Sequence, residues 1–331
     1  MRKLNILITQ YKEDDAFIKP LLDSIEIQQN IDFEDIEVII GNNGSEVKLT
    51  DEFLQHYSYP IKYILFNNTT LGGNRENLMK AADAEYVMWC DADDMFYHAL
   101  ALHKIFQYIE KGFDVLFDDF IQEVKIEDKI YAKVRKEDHI HVHGKVYNRQ
   151  FLINNQLHWC DKMWYNEDGC FAVLALSLTK RIFRCEEPYY IWKYNPKSKT
   201  HSREHNDLLG FTDLMIGYNH LIDGLMNRGF GTEARYYCFY TLLYAYYTFC
   251  SPDWKKDWEG KDECRLEIYK SITAFISKYK LLLPYVTDSM KSKANEVTKH
   301  IALEKGYEVK DIEEIPNINE WLKSIRIILG D

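Results

Sequence analysis

Short apolar runs alternate with helical patterns through the first hundred residues, and this alternation constrains the fold more than any other feature of the chain. Residues 4–8, 36–40, 61–66 and 85–90 read as strands, rich in Ile, Leu, Val and aromatic side chains. Residues 16–28 between the first two read as a helix, with Phe17, Leu21, Leu22 and Ile25 on one face, and residues 78–84 give a second helical stretch. Such βαβ alternation predicts an α/β fold built on a mostly parallel sheet flanked by helices. The second strand ends in Gly41-Asn42-Asn43-Gly44-Ser45, a run of turn formers. In open sheets of this kind, ligands bind beyond the carboxyl ends of the strands.

Farther along, residues 113–194 mix strands with one clear helix at 169–178. From about residue 206 the pattern turns helical, with Leu208, Phe211, Leu214, Met215, Tyr218, Leu221, Ile222 and Leu225 recurring at three and four. A boundary near 205 is expected, dividing an α/β domain (1–205) from an all-α domain (206–331). Within the second domain, residues 234–250 are apolar or aromatic on all sides, including Tyr236, Tyr237, Tyr240 and Tyr244. This reads as a central helix, with a ring-stacking face as the alternative.

The chain has 331 residues, 46% hydrophobic and 28% charged, as expected of a folded globular protein. No run reaches the roughly 18 apolar residues of a membrane span, so a soluble, cytoplasmic protein is expected. Seven cysteines form no C-x-x-C pair and read as buried hydrophobes in a reducing compartment. A net charge of -11 disfavours binding dominated by a nucleic-acid backbone.

The strand at 85–90 runs directly into Asp91-Ala92-Asp93-Asp94. Neighbouring carboxylates repel unless a cation or strong donors offset the charge, so the run suggests a hard divalent ion with oxygen ligands. A solvated acidic turn is the plainer alternative. His139, His141 and His143 alternate, which on a strand would put three imidazoles on one face; a polar connecting segment is favoured over a transition-metal site.

The string Tyr86-Val87-Met88-Trp89-Cys90-Asp91-Ala92-Asp93-Asp94 resembles the D-x-D-D block of family 2 glycosyltransferases with the GT-A fold. Leu71-Gly72-Gly73-Asn74-Arg75 is similar to the family's glycine-rich, Arg-containing segment. Residues 39–45 resemble its V-D-D-G-S turn, and residues 6–11 its first strand. His143-Gly144-Lys145-Val146-Tyr147-Asn148-Arg149 is similar to its G-K segment, Asn166-Glu167-Asp168 to its Glu-Asp pair, and residues 188–194 to its aromatic strand. Leu21-Leu22-Asp23-Ser24-Ile25 and His143-Gly144-Lys145 further resemble compact members encoded by bacteriophages, which would place the protein in a host cytoplasm.

The resemblance implies a role for each block. Asp91 and Asp93 would hold the donor ribose and a divalent metal, Mn2+ or Mg2+, with Asp93 the better ligand. Asp168 would be the general base of an inverting transfer, with Glu167 supporting it. Without the resemblance, the pair reads as acidic residues favoured at a helix N-terminus. Thr9, Tyr11, Asn43, Arg75 and Lys145 would contact the donor, although Tyr11 could simply pack and Lys145 could be exposed. Asn43 departs from the pattern, standing where the family carries an Asp that accepts from uracil N3–H; its amide both donates and accepts, so cytosine also fits. Residues 180–205 carry a net charge of +4 and would close over the donor diphosphate, with His201, then His205, completing the metal or phosphate contacts.

The donor is therefore expected to be a nucleoside-diphosphate sugar, UDP-linked by preference, and the acceptor a glycan hydroxyl. Transfer to a hydroxymethylated pyrimidine in phage DNA is a second possibility, for which Lys255, Lys256, Lys291 and Lys293 could supply part of a basic groove. A nucleotidyltransferase would need a glycine-rich basic loop after the first strand, where Gln10-Tyr11-Lys12-Glu13-Asp14-Asp15 is acidic and lacks glycine. A non-catalytic sugar-nucleotide-binding protein would be expected to lack Asp93 or Asp168.

Overall fold

A computed structural model describes residues 2–67, 69–196, 198, 207–250 and 262–304. The chain divides into two compact units, 1–205 and 206–331. The first holds a seven-stranded sheet in the order β10-β6-β9-β4-β1-β2-β3. Its strands are β1 (Leu4–Gln10), β2 (Ile36–Asn42), β3 (Ile61–Leu65), β4 (Tyr86–Asp91), β6 (Val115–Asp118), β9 (Val146–Asn148) and β10 (Ile182–Cys185). Only β9 runs antiparallel to its neighbours, β4 and β6. A second sheet has the order β5-β11-β7-β8, from Met95–Phe96, Tyr190–Trp192, Ile121–Ile126 and Lys129–Val134.

The central strands are buried on both faces, so they read as continuous apolar runs. Leu4, Ile6, Leu7, Ile8, Val38, Ile39, Ile40, Val87 and Met88 are all fully buried. Helix α1 (Asp15–Glu26) begins where Asp14 accepts from the Phe17 amide, and it buries Ile18, Leu21, Leu22 and Ile25. The short helix α2 (Asp51–Leu54) follows β2, and α4 (Ala101–Ile109) buries Leu102, Ile105 and Phe106 in the same core.

Helix α3 (Leu71–Ala81) starts seven residues earlier than the pattern at 78–84 predicts. Two glycines and an Asn lower helix propensity at its start, but Thr70 caps it by accepting from the Gly73 amide at 3.0 Å. The motif Gly72-Gly73-Asn74-Arg75 is therefore helical, which fixes where Arg75 points. Helices α5 (Arg149–Asn154) and α6 (Glu167–Ser177) complete the first unit.

The second unit contains α7 (Asp207–Met226), α8 (Gly231–Cys250), α9 (Asp262–Tyr279) and α10 (Asp288–Glu304). Helix α8 packs against both α7 and α10, and Tyr240 and Leu243 lie buried in its cluster with Ala294. Tyr236, Tyr237 and Tyr244 are half-buried and pack against that cluster. Cys90, Cys160, Cys170, Cys185 and Cys238 are free thiols, all but Cys160 buried. Among the described residues, no helix is long and apolar enough to cross a membrane.

Candidate active site

Strand β4 delivers Asp91 to the carboxyl edge of the sheet. Pairing puts Thr9 opposite Asp91 on one side and Gly41 on the other, so Thr9, Gly41 and Asp91 form a row at the ligand-binding edge. The chain then turns sharply, the Asp94 amide donating to the Asp91 carbonyl at 3.1 Å. Asp94 is fully buried; it accepts from the Tyr190 hydroxyl at 2.8 Å and from the Lys193 amide at 2.9 Å. The Tyr190 hydroxyl in turn accepts from the Asp91 amide at 3.1 Å. Asp94 thus ties β11 to the end of β4. Its burial, with Asp91 and Asp93 beside it, pushes its pKa well above the carboxylate range. Asp93 is half-buried and accepts from the Asn195 amide nitrogen at 2.8 Å.

Helix α3 brings in the cation. A Cβ on Gly72 would stand 2.1 Å from the Cys160 carbonyl oxygen, so only glycine lets the helix lie this close to the 160–163 loop. The Gly72 amide donates to the Met163 carbonyl at 3.1 Å, and the Thr70 hydroxyl to that of Asp161 at 2.6 Å. One turn on, Arg75 is 4% exposed, with Nη2 2.9 Å from Asp91 Oδ1 and Nη1 3.4 Å from Glu167 Oε1. The guanidinium also lies 5.1 Å from the Trp159 ring centre. Burial pulls the Arg75 pKa down, but the carboxylates of Glu167, Asp91 and Asp168 more than reverse it. Burial likewise raises Asp91, against the pull of Arg75, with Asp93 and Asp168 adding to the rise. Glu167 rises to about 7, from burial first, opposed by Arg75 and reinforced by Asp168.

Glu167 and Asp168 open helix α6, where the macrodipole favours acidic groups. Asn166, before them, is in the left-handed region at φ 58, a conformation Asn tolerates better than most residues. Asp168 is half-buried, and its Oδ1 accepts from the Gly169 amide at 2.8 Å. Arg75, Asp91, Glu167 and Asp168, drawn from three elements, therefore act on one another at the carboxyl edge of the sheet.

One nitrogen of His143 and oxygens of Asp91 and Asp94 lie within 4.8 Å of one another. His143 is buried, its Nδ1 stands 3.9 Å from Asp91 Oδ2, and its Nε2 has no hydrogen-bond partner among the described residues. Carboxylate oxygens with an imidazole form a donor set that fits a divalent ion. Asp94 already accepts two hydrogen bonds, which leaves Asp91 and Asp93 as the more open carboxylates.

Residues 5–180 match the family model described as Glycosyl transferase family 2. The chain belongs to this family. It is 24% identical over 211 residues to an uncharacterized glycosyltransferase of Methanocaldococcus jannaschii, covering 58% of this chain and 70% of that protein. It is 32% identical over 112 residues to a teichoic acid poly(glycerol phosphate) polymerase of Staphylococcus epidermidis, covering 34% of this chain and 15% of the relative. A Campylobacter jejuni GalNAc(5)-diNAcBac-PP-undecaprenol beta-1,3-glucosyltransferase is 29% identical over 127 residues, covering 37% of this chain and 40% of its own length. The chain thus matches only part of these last two relatives. Among solved structures, S. aureus TarS 1-349 in complex with UDP-GlcNAc superposes with a TM-score of 0.62 at 16% identity, over 94% of each chain. The fold is GT-A, shared with that structure.

Not every donor-side expectation for this family member finds its residue open to a ligand. Lys145 is 2% exposed, and its ammonium donates to Asp138 Oδ1 at 3.2 Å and to the His141 carbonyl. It is neither surface-exposed nor presented to a phosphate, because a buried ammonium must be paired. Asn43 is also buried; its amide nitrogen donates to the Thr69 carbonyl at 2.8 Å and its oxygen accepts from the Thr69 amide at 3.0 Å. The side chain expected to read the base thus holds the loop at Thr69. Tyr11 is 41% exposed beyond β1, so it does not pack as core. His201 and His205 lie outside the described residues. The triple-histidine segment is not a strand: His141 and His143 stack with centroids 5.1 Å apart, while His139 packs on Phe117.

Tyr190, Asn195 and His143 enter the site without having been singled out for these contacts. The match of residues 188–194 to an aromatic strand marks Tyr190 as framework, but its partner Asp94 is 96 residues away. Side-chain pairings over such separations leave no periodic trace in one sequence.

Proposed function

We propose that this protein transfers a sugar from a UDP-sugar to a glycan hydroxyl with inversion at the anomeric carbon, using Asp168 as general base. The observation that carries this reading is the convergence of Asp91, Arg75, Glu167 and Asp168 at the carboxyl edge of the sheet. The UDP-GlcNAc complex of TarS, which shares the fold, supports a uridine donor.

Asp168 takes the proton of the acceptor hydroxyl as its oxygen bonds to the anomeric carbon. The bond from that carbon to the diphosphate oxygen breaks on the opposite face, and the nucleoside diphosphate departs with the electron pair. Asp91 and Asp93 would hold a divalent ion, Mn2+ or Mg2+, whose Lewis acidity neutralises charge on the departing diphosphate. Arg75 keeps Asp91 oriented, and Glu167, partly protonated near neutral pH, limits the negative charge beside the base. Thr9 lies at the edge where the nucleoside would rest. The helical second unit is assigned to acceptor binding or oligomerisation.

The test is a panel of UDP-, GDP-, CDP- and dTDP-sugars with Mn2+, Mg2+ or chelator, scored by release of nucleoside diphosphate. Metal-dependent release of UDP supports the proposal. Release that is indifferent to chelator removes the metal assignment, and no release from any donor removes the transferase reading of the cleft.

A further inference from the structure

Asp138 organises the loop between β8 and β9 and leaves one histidine edge turned outward. Its Oδ1 accepts from the amides of Ile140 at 3.2 Å and His141 at 2.8 Å, and from the Lys145 ammonium at 3.2 Å. Its Oδ2 lies 2.9 Å from His141 Nδ1. Burial opposes ionisation of Asp138, but the His141 hydrogen bond and charge, with Lys145, hold it well below the usual carboxylate range. An ionised carboxylate there places a hydrogen on His141 Nδ1, so Nε2 is the nitrogen left for a ligand.

Packing fixes the direction of that nitrogen. The His141 ring stacks on His143 at 5.1 Å and lies 4.9 Å from the half-buried Trp192 ring, with Phe120 at 6.1 Å. The side chain is nevertheless 29% exposed, and no hydrogen bond reaches Nε2 among the described residues. After Asp138, the carboxylate that acts most strongly on His141 is Asp168. The same loop meets the start of α6, where a Cβ on Gly169 would stand 3.1 Å from Ile140 Cγ2, so the imidazole edge and its indole neighbour stand beside the segment that carries Asp168.

We propose that His141, oriented by Asp138 and flanked by Trp192, is an acceptor contact: a sugar ring lies against the indole and one of its hydroxyls hydrogen-bonds Nε2. This rests on the reading of Asp168 as base. A hydroxyl suits the edge because it donates to a neutral Nε2 and accepts from a protonated one, whereas a second anion would be repelled by Asp168. The indole supplies the broad apolar face that the carbon side of a sugar ring needs. His141 is therefore a specificity-determining residue for the acceptor.

The experiment uses the full chain with UDP-GlcNAc, Mn2+ and the p-nitrophenyl glycosides of glucose, galactose and N-acetylglucosamine as acceptor probes. His141→Ala is expected to raise the acceptor KM about five- to tenfold, the loss of one hydrogen bond, while UDP affinity shifts less than about twofold. His141→Gln, whose amide can reach the Nε2 position, is expected to recover part of the loss. Asp138→Asn is expected to raise the same KM by loosening the ring. Weakened UDP binding in His141→Ala, or an unchanged acceptor KM, overturns the proposal. Transfer by the unmodified protein to none of the glycosides, with UDP still released, overturns the sugar-ring class. Absence of UDP release from any nucleotide sugar is a distinct result: it removes the reading of Asp168, and this inference with it.

Discussion

Arg75 and Asp91, sixteen residues apart, meet at 2.9 Å, with the guanidinium almost wholly buried and its other arm directed at Glu167. One cation therefore sets the position of the carboxylate at the sheet edge and that of the acidic residue beside the proposed base. Arg75→Ala is expected to destabilise the protein by about 3 kcal/mol, as when one partner of a buried ion pair is removed. Arg75→Lys should fall between, because an ammonium cannot reproduce the two-armed geometry. Urea denaturation of the three proteins measures this, and a midpoint unchanged in Arg75→Ala would contradict it.

Asp118 gives a signed expectation for pH. Burial raises its pKa to about 7, against the pull of the Tyr189 and Tyr190 amides and Lys145. A carboxyl whose folded pKa lies above its unfolded value keeps its proton longer in the native state. Its stabilising contribution is full below the unfolded pKa of roughly 4 and is lost as pH rises toward 7. Asp118→Asn can still accept from both amides through its carbonyl oxygen, since both now donate to Oδ2 at 3.0 and 3.1 Å. The variant should therefore show a smaller fall in denaturation midpoint between pH 5 and 8 than the unmodified protein.

Tyr190 joins two strands through one hydroxyl. Tyr190→Phe removes a hydrogen bond from fully buried Asp94 and leaves the Asp91 amide without its acceptor, a cost of about 1–3 kcal/mol. Calorimetry reads the loss as a lowered Tm. An unchanged Tm would mean that Asp94 does not depend on this clamp.

Gly72→Ala places a methyl group 2.1 Å from the Cys160 carbonyl oxygen, so helix α3 or the 160–163 loop must shift. Overpacking of this kind costs about 1–3 kcal/mol, and here it also displaces Arg75. UDP affinity is expected to fall together with the denaturation midpoint. A normal midpoint and normal affinity would show that the close approach is dispensable.

The strands and the acidic run were legible because apolar runs ending in turn formers are local signals, and β1, β2, β3 and β4 lie where those signals stand. The start of α3 was hidden because glycines argue locally against a helix, while the reason for Gly72 is a loop some ninety residues away. The alternation of His139, His141 and His143 would put three imidazoles on one face only in a strand, and Asp138 captures the next amides and holds an irregular loop there. Lys145 matched a family position by residue type and Asn43 stood where the family carries an Asp, yet their environments commit them to Asp138 and Thr69. Residue type marks a block; burial and partners decide what the side chain is free to do.

The proposed transfer turns on Asp168, and the most direct measurement pairs UDP affinity with the rate of UDP release from UDP-GlcNAc, with and without acceptor, in Asp168→Asn. The expected result is UDP binding within about twofold of the unmodified protein and acceptor-dependent turnover lowered by about 10²–10⁴-fold, the range for loss of a general base. Turnover at the unmodified rate, with binding intact, would contradict the assignment of Asp168 as the base.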